Sequence, residues 1–127
     1  NTTCISNLKQ LGLAQILYAE DNHDRLPPAT VWQEATKSYV PPDLTCRLAT
    51  TKYSYGMNRI CSMLDINKAE TFSCALLFEQ DSNIPNPRGG KSEVACRHDP
   101  ERTYICTLDG SAKRLRLPDV VWDPKKQ

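Results

Sequence analysis

The segment that most constrains this chain is CISNLKQLGLAQILYAEDNHDRLPP, residues 4 to 28. Projected at about 100° per residue, Cys4, Ile5, Leu8, Leu11, Gly12, Ile16, Tyr18 and Ala19 fall on one broad arc, with Gln15 the one polar residue inside it. That periodicity predicts a helix over roughly residues 3 to 22 whose apolar stripe needs a partner surface. Asn22-His23-Asp24 ends it and Pro27-Pro28 prevents its return. Leu13 and Leu17, spaced i,i+4, form a second small apolar patch off the main stripe; it either packs under a loop or faces another subunit.

With 127 residues, the chain is expected to form one domain over 1–127. A net charge of +1 offers no basic field for nucleic acid and no acidic field for cationic partners. No apolar run approaches the ~20 residues needed to cross a bilayer. Cys4, Cys46, Cys61, Cys74, Cys96 and Cys106 are dispersed, without the C-x-x-C spacing of a zinc knuckle or redox motif. All six are therefore disulfide candidates in an oxidising compartment, the alternative being reduced, buried thiols. Cys4–Cys46 is the favoured pair, because it ties the helix to the loop after it.

Further along, TVWQEATKSY (Thr30 to Tyr39) fits a short helix capped by Thr30, with Trp32, Ala35 and Tyr39 inward, closed by Pro41-Pro42. YSYGMN (Tyr53 to Asn58) is a short strand or extended turn, CALLFE (Cys74 to Glu79) a buried central strand, and residues 80 to 92 a long exposed loop. Final strands are expected within 94–117, where Asp109-Gly110 sits between two alternating runs, as in a two-residue type I′ hairpin. That turn pairs Cys106 with Lys113 and Tyr104 with Leu115. It places Tyr104, Cys106, Leu108, Leu115 and Leu117 on a dry face, with Thr103, Thr107, Arg114 and Arg116 on a wet one. Helix first and strands after make the class α+β with an antiparallel sheet.

Chemistry is hard to find. His23 lies in a polar, helix-ending segment. Cys96, His98 and Cys106 can be drawn as zinc ligands, but they would have to converge across a hairpin. Asp21, Asn22 and Asp24 lack the spacing of a calcium loop. No nucleophile elbow, phosphate loop or zinc-protease motif occurs. The expectation is no catalytic centre, no cofactor, no metal and no small-molecule substrate, with His98 hydrogen-bonded inside the loop ahead of the final hairpin.

The opening stretch closely resembles the segment that follows the membrane helix in prepilin-like (pseudopilin-type) proteins, in one bacterial family of the form C-x-x-N-L-K-Q-[IL]-G-L-A…Y…D-x-x-x-x-[FL]-P-P. Cys4, Asn7, Leu8, Lys9, Gln10, Leu11, Gly12, Leu13, Ala14, Tyr18, Asp21, Leu26, Pro27 and Pro28 fit that pattern. Trp32, Cys46, YSYGMN and ALLFEQD follow in order. His98 ahead of Asp109-Gly110 is similar to the family's C-terminal signature, with ten residues between where nine are usual, and Ser111 where a second His often stands. The resemblance implies a pilin-like head built on a long N-terminal helix, of which residues 1–22 are the C-terminal half, with His98, Asp109 and Gly110 structural. It further implies an upstream apolar helix trimmed by a prepilin peptidase, and an extracytoplasmic head anchored in the inner membrane until assembly. The partners would be other pilin or pseudopilin subunits of a type IV pilus or type II secretion-like filament, with Leu13 and Leu17 as a possible subunit contact. The alternative from another class is a secreted, disulfide-stabilised domain that binds an extracellular ligand or polymer.

Overall fold

The first helix, α1 (Thr2–Asp21), forms as the periodicity requires. The computed structural model describes residues 2–41, 44–46 and 48–125. Cys4, Leu8, Leu11, Ala14, Gln15 and Ala19 are buried along one side of the helix, and Leu13 stays exposed on the other. The helix stops because His23 and Asp24 take left-handed φ values of 59° and 62°. The Asp24 amide then donates back to the Ala19 carbonyl at 2.8 Å, and the Asn22 side chain to the Tyr18 carbonyl at 2.7 Å.

A short helix, α2 (Trp32–Thr36), follows a 3-10 turn over Ala29–Val31. Thr30 does not cap it. Asn86 Oδ1, arriving from a distant loop, accepts from the amides of Gln33 at 2.8 Å and Glu34 at 3.4 Å. Trp32 is buried and donates its indole N–H to the Pro87 carbonyl at 2.6 Å, while Tyr39 turns outward to Asp21. Of the expected Pro41-Pro42 stop, Pro42 lies outside the described residues.

Five strands build the sheet: β1 (Tyr53–Asn58), β2 (Ala75–Ser82), β3 (Arg88–Gly89), β4 (Arg102–Thr107) and β5 (Ala112–Arg116), in spatial order β3-β1-β2-β4-β5. All pairs are antiparallel except β1 with β3, so the sheet is mixed and not purely antiparallel. Strand β3 falls inside the stretch read as loop; two residues are too few for a periodic signal. Residues 94–101 carry no strand, so the final strands occupy a smaller part of 94–117 than expected.

Both faces of the sheet centre are covered. Leu8 and Leu11 of α1 pack with Tyr55, Met57, Leu77, Tyr104 and Cys106 on one face. Ala75, Phe78, Ile105 and Val120 pack on the other with Val94, Leu115 and Trp122, Phe78 meeting the Trp122 ring edge-to-face at 5.2 Å. Leu76 and Leu77 both join the helix-side cluster because the strand register is irregular between Ala75 and Leu77, and Phe78, next along the regular part, points to the opposite face.

The final hairpin differs from its expected form by one residue. Gly110 is left-handed (φ 86°) and Asp109 is not among the positive-φ residues. The Gly110 amide donates to the Thr107 carbonyl at 2.9 Å and the Thr107 amide to the Ser111 carbonyl at 2.8 Å, which makes a three-residue loop closed by a left-handed glycine. Asp109 holds it by accepting from the Thr107 hydroxyl and from the Ser111 amide at 3.0 Å. These two bonds hold the Asp109 carboxyl below the usual carboxylate range. The register becomes Cys106↔Ala112 and Tyr104↔Arg114. A one-residue slip moves side chains to the opposite face, so Leu115 pairs with Thr103 and joins the Phe78 side, away from the helix. Neither face is wet at β4, since Thr103 and Thr107 are fully buried.

Helix and sheet approach closely at Gly12, where a Cβ atom would lie 2.3 Å from Cys106 Sγ. Gly12→Ala is therefore expected to destabilise by about 1–3 kcal/mol through overpacking. In a Cys106→Ala background the same change is expected to be neutral or to stabilise by up to ~1 kcal/mol, from helix propensity. Urea melts of the four proteins check this reversal of sign.

Candidate functional site

Four segments converge beneath the first turn of α1. Cys4 comes from that turn, Cys46 from the loop before β1, Glu79 from the middle of β2, and His98 from the loop before β4. Cys4 Sγ and Cys46 Sγ lie 3.3 Å apart. His98 Nε2 is 3.0 Å from Cys4 Sγ, 3.4 Å from Cys46 Sγ and 3.4 Å from Glu79 Oε2. All four ligand-type atoms lie within 4.8 Å of one another, and among the described residues no other group of three or more His, Cys, Asp or Glu side chains converges in this way.

The surroundings fix each member. Glu79 stands opposite Tyr55 of β1, on the helix face of the sheet, and its side chain is fully buried. Its Oε1 accepts from the Tyr104 amide at 2.9 Å and the Thr103 hydroxyl at 3.4 Å. Its Oε2 receives no hydrogen bond and points at His98, with Arg97 Nη2 at 3.2 Å. Arg97 is itself nearly buried: it pairs with Asp81 at 2.5 Å, donates to the Ser54 carbonyl at 2.7 Å and stacks over the Tyr55 ring. Burial alone would lower the Arg97 pKa, but the Glu79 and Asp81 charges outweigh it and the net shift is upward. The His98 ring meets Tyr104 edge-to-face at 5.1 Å.

On the helix side, the Asn7 amide donates to the Tyr55 hydroxyl and to the Thr45 carbonyl, each at 3.2 Å, locking the loop that carries Cys46. The Cys46 amide donates to Ser54 Oγ at 2.9 Å. Burial pushes the Cys4 thiol up to about 11, against a lowering hydrogen bond from Tyr55. The Cys4 thiol is therefore neutral at neutral pH unless a cation joins it. Two thiols, one imidazole and one carboxylate form a donor set suited to a tetrahedral metal. They can also form a disulfide, or hydrogen bonds alone.

The other residues singled out in the sequence lie elsewhere. His98 bonds across the molecule and not within its own loop. The trio Cys96, His98 and Cys106 does not assemble: Cys106 is buried against Gly12, and burial followed by the Asp109 charge raises its thiol to about 12. Cys96 is half-buried, its pKa raised by burial and then by the Glu79 and Asp99 charges. Cys61 and Cys74 form a second thiol pair; a hydrogen bond from Cys74, followed by burial, drives the Cys61 thiol upward. All six cysteines are thiols in this structure. His23 is exposed. Glu79 is not among the site residues expected from the sequence; a carboxylate at the end of an apolar, strand-length run is the signal that marks it.

Comparison of the chain with protein families, with curated proteins and with solved structures finds no match. Among the described residues, no helix is long and apolar enough to cross a membrane.

Removing Arg97 strands a buried carboxylate. Arg97→Met is expected to destabilise by about 3–5 kcal/mol, and adding Glu79→Gln to recover a substantial part of that loss. Urea unfolding of both single variants and the double variant measures the coupling; strict additivity would mean that the pair does not interact.

Proposed function

We propose that this chain is the head of a pilin-like filament subunit, a structural module that works through contacts with other subunits. The supporting observation is how α1 divides its surface. One stripe is buried on a sheet of mostly antiparallel strands, while Leu13, midway along the helix, is 55% exposed and Leu17 beside it is half-buried. An apolar residue on the outer face of a helix that already has its core is the arrangement a neighbouring subunit would cover. The motif likeness at Cys4 to Pro28 points the same way, as do the order helix then sheet and the absence of a catalytic motif in the sequence. In this reading the subunit is held in the inner membrane by an apolar helix ahead of the head, and the head is extracytoplasmic.

A second reading, a secreted binding domain, is favoured by one feature. A cavity of about 510 Å³ opens between α1, α2 and β1, lined by Leu11, Trp32, Val40, Leu44, Tyr53 and Tyr55. Its volume suits a small ligand.

The test is made on the complete gene product in its host. Leu13→Asp is expected to leave head stability within about 0.5 kcal/mol, as for an exposed position, and to abolish filament assembly. A photo-crosslinking amino acid at position 13 is expected to capture a second subunit of the same class. Filaments unaffected by Leu13→Asp, or a gene product released wholly in soluble form, would contradict the filament reading and favour the binding domain.

A further inference from the structure

We infer that Cys4, Cys46, Glu79 and His98 bind one divalent metal ion, zinc by preference, in a closed structural site. The inference is independent of the filament reading, since it rests only on the cluster. Metal–sulfur bonds of about 2.3 Å and metal–nitrogen or –oxygen bonds of about 2.0–2.2 Å give a tetrahedron with edges of roughly 3.3–3.8 Å. Four of the six contacts among these side chains span 3.0 to 3.4 Å and the two from the sulfurs to Glu79 lie within 4.8 Å, so shifts of about an ångström or less bring the four donors around one ion.

Three features favour a metal over a disulfide. The first is Glu79 Oε2, a fully buried carboxylate oxygen without a hydrogen bond that points into the cluster. A disulfide would leave it with only the Arg97 cation at 3.2 Å and the His98 ring at 3.4 Å, whereas a metal would ligate it directly. The second is His98 Nε2, which approaches both sulfurs and the carboxylate at once; one imidazole nitrogen cannot satisfy three partners, but it can share a cation with them. The third is charge. Two thiolates and the Glu79 carboxylate carry three negative charges, which a divalent ion and Arg97 offset, leaving only Asp81, the part-exposed second partner of Arg97, in excess.

The outer partners are those a ligand set requires. The Tyr104 amide and Thr103 hydroxyl orient Glu79, Tyr104 packs against the His98 ring, and Asn7 fixes the loop of Cys46. All four ligands are buried or nearly so, and all four tetrahedral positions are taken by protein. That is the pattern of a structural site and not of a catalytic one, which keeps a position for water or substrate. A borderline-soft ion is selected because two of the four donors are sulfur. Binding deprotonates both thiols and releases their protons to solvent, with no change of oxidation state. The ion would join α1, the loop before β1, strand β2 and the loop before β4 at one point.

The test uses the full chain purified under reducing conditions, with cobalt(II) alone as the probe. One equivalent is expected to give the intense ligand-field bands of a tetrahedral site together with thiolate-to-cobalt charge transfer, and zinc(II) is expected to abolish both. Glu79→Gln and His98→Ala are each expected to weaken cobalt binding about tenfold or more. Cys61→Ser is expected to leave stoichiometry and spectrum unchanged, because the Cys61–Cys74 pair is not part of the cluster. If Cys4→Ser fails to fold, the Glu79 and Cys61 variants still decide the matter. A spectrum that stays octahedral overturns the inference. So does a Cys4–Cys46 disulfide found by mass spectrometry in chain isolated from its host and alkylated without reduction, as does cobalt binding insensitive to Glu79→Gln.

Discussion

The interaction on which the rest of this structure depends is the burial of the Glu79 carboxylate at the centre of the sheet. An ionised carboxylate withdrawn from water is costly unless its oxygens are met by donors or cations. Here one oxygen takes the Tyr104 amide and the Thr103 hydroxyl, and the other faces Arg97 and His98. Meeting those demands brings the loop before β4 down over the sheet, because both Arg97 and His98 belong to it. Arg97 in turn reaches the Ser54 carbonyl and Asp81, binding that loop to β1 and to the end of β2.

The apolar core and this polar point divide the work along α1. From Leu8 onward the helix is held by burial against Leu77, Met57 and Cys106, and Gly12 lets the backbone approach the β4 sulfur closely. At its first turn the holding groups are polar: Asn7 grips Tyr55 and the Thr45 carbonyl, and Cys4 enters the cluster. A metal there would tie the first turn of the helix to the loop before β1, to β2 and to the loop before β4 at one point.

Much of the fold was legible in the sequence because its signals are local. The α1 stripe, the strand Tyr53–Asn58, the first part of Ala75–Ser82 and a hairpin near Gly110 follow from periodicity and turn chemistry, whereas Gln80 to Ser82 continue the strand into the stretch expected to be loop. What failed was register and capping. Asp109-Gly110 suits both a two-residue turn and a type I turn with a following left-handed glycine, and the Thr107 and Ser111 bonds to Asp109 select the second. The slip that results sends Leu115 to the other face. Asn86 caps α2 from more than 50 residues away, beyond any local rule. The cluster was hidden for the same reason: its members stand at positions 4, 46, 79 and 98, and only strand pairing shows that Glu79 faces the helix. His98 stands near Cys96 and Cys106 in the sequence, but in the fold its neighbours are Cys4 and Cys46.

X-ray absorption at the zinc edge, on the protein as isolated from its host without chelators, tests the central claim most directly. The account predicts stoichiometric zinc with two sulfur neighbours at about 2.3 Å and two nitrogen or oxygen neighbours at about 2.0–2.2 Å. Zinc surrounded only by oxygen and nitrogen, or protein that carries no metal and retains its full stability, would contradict it.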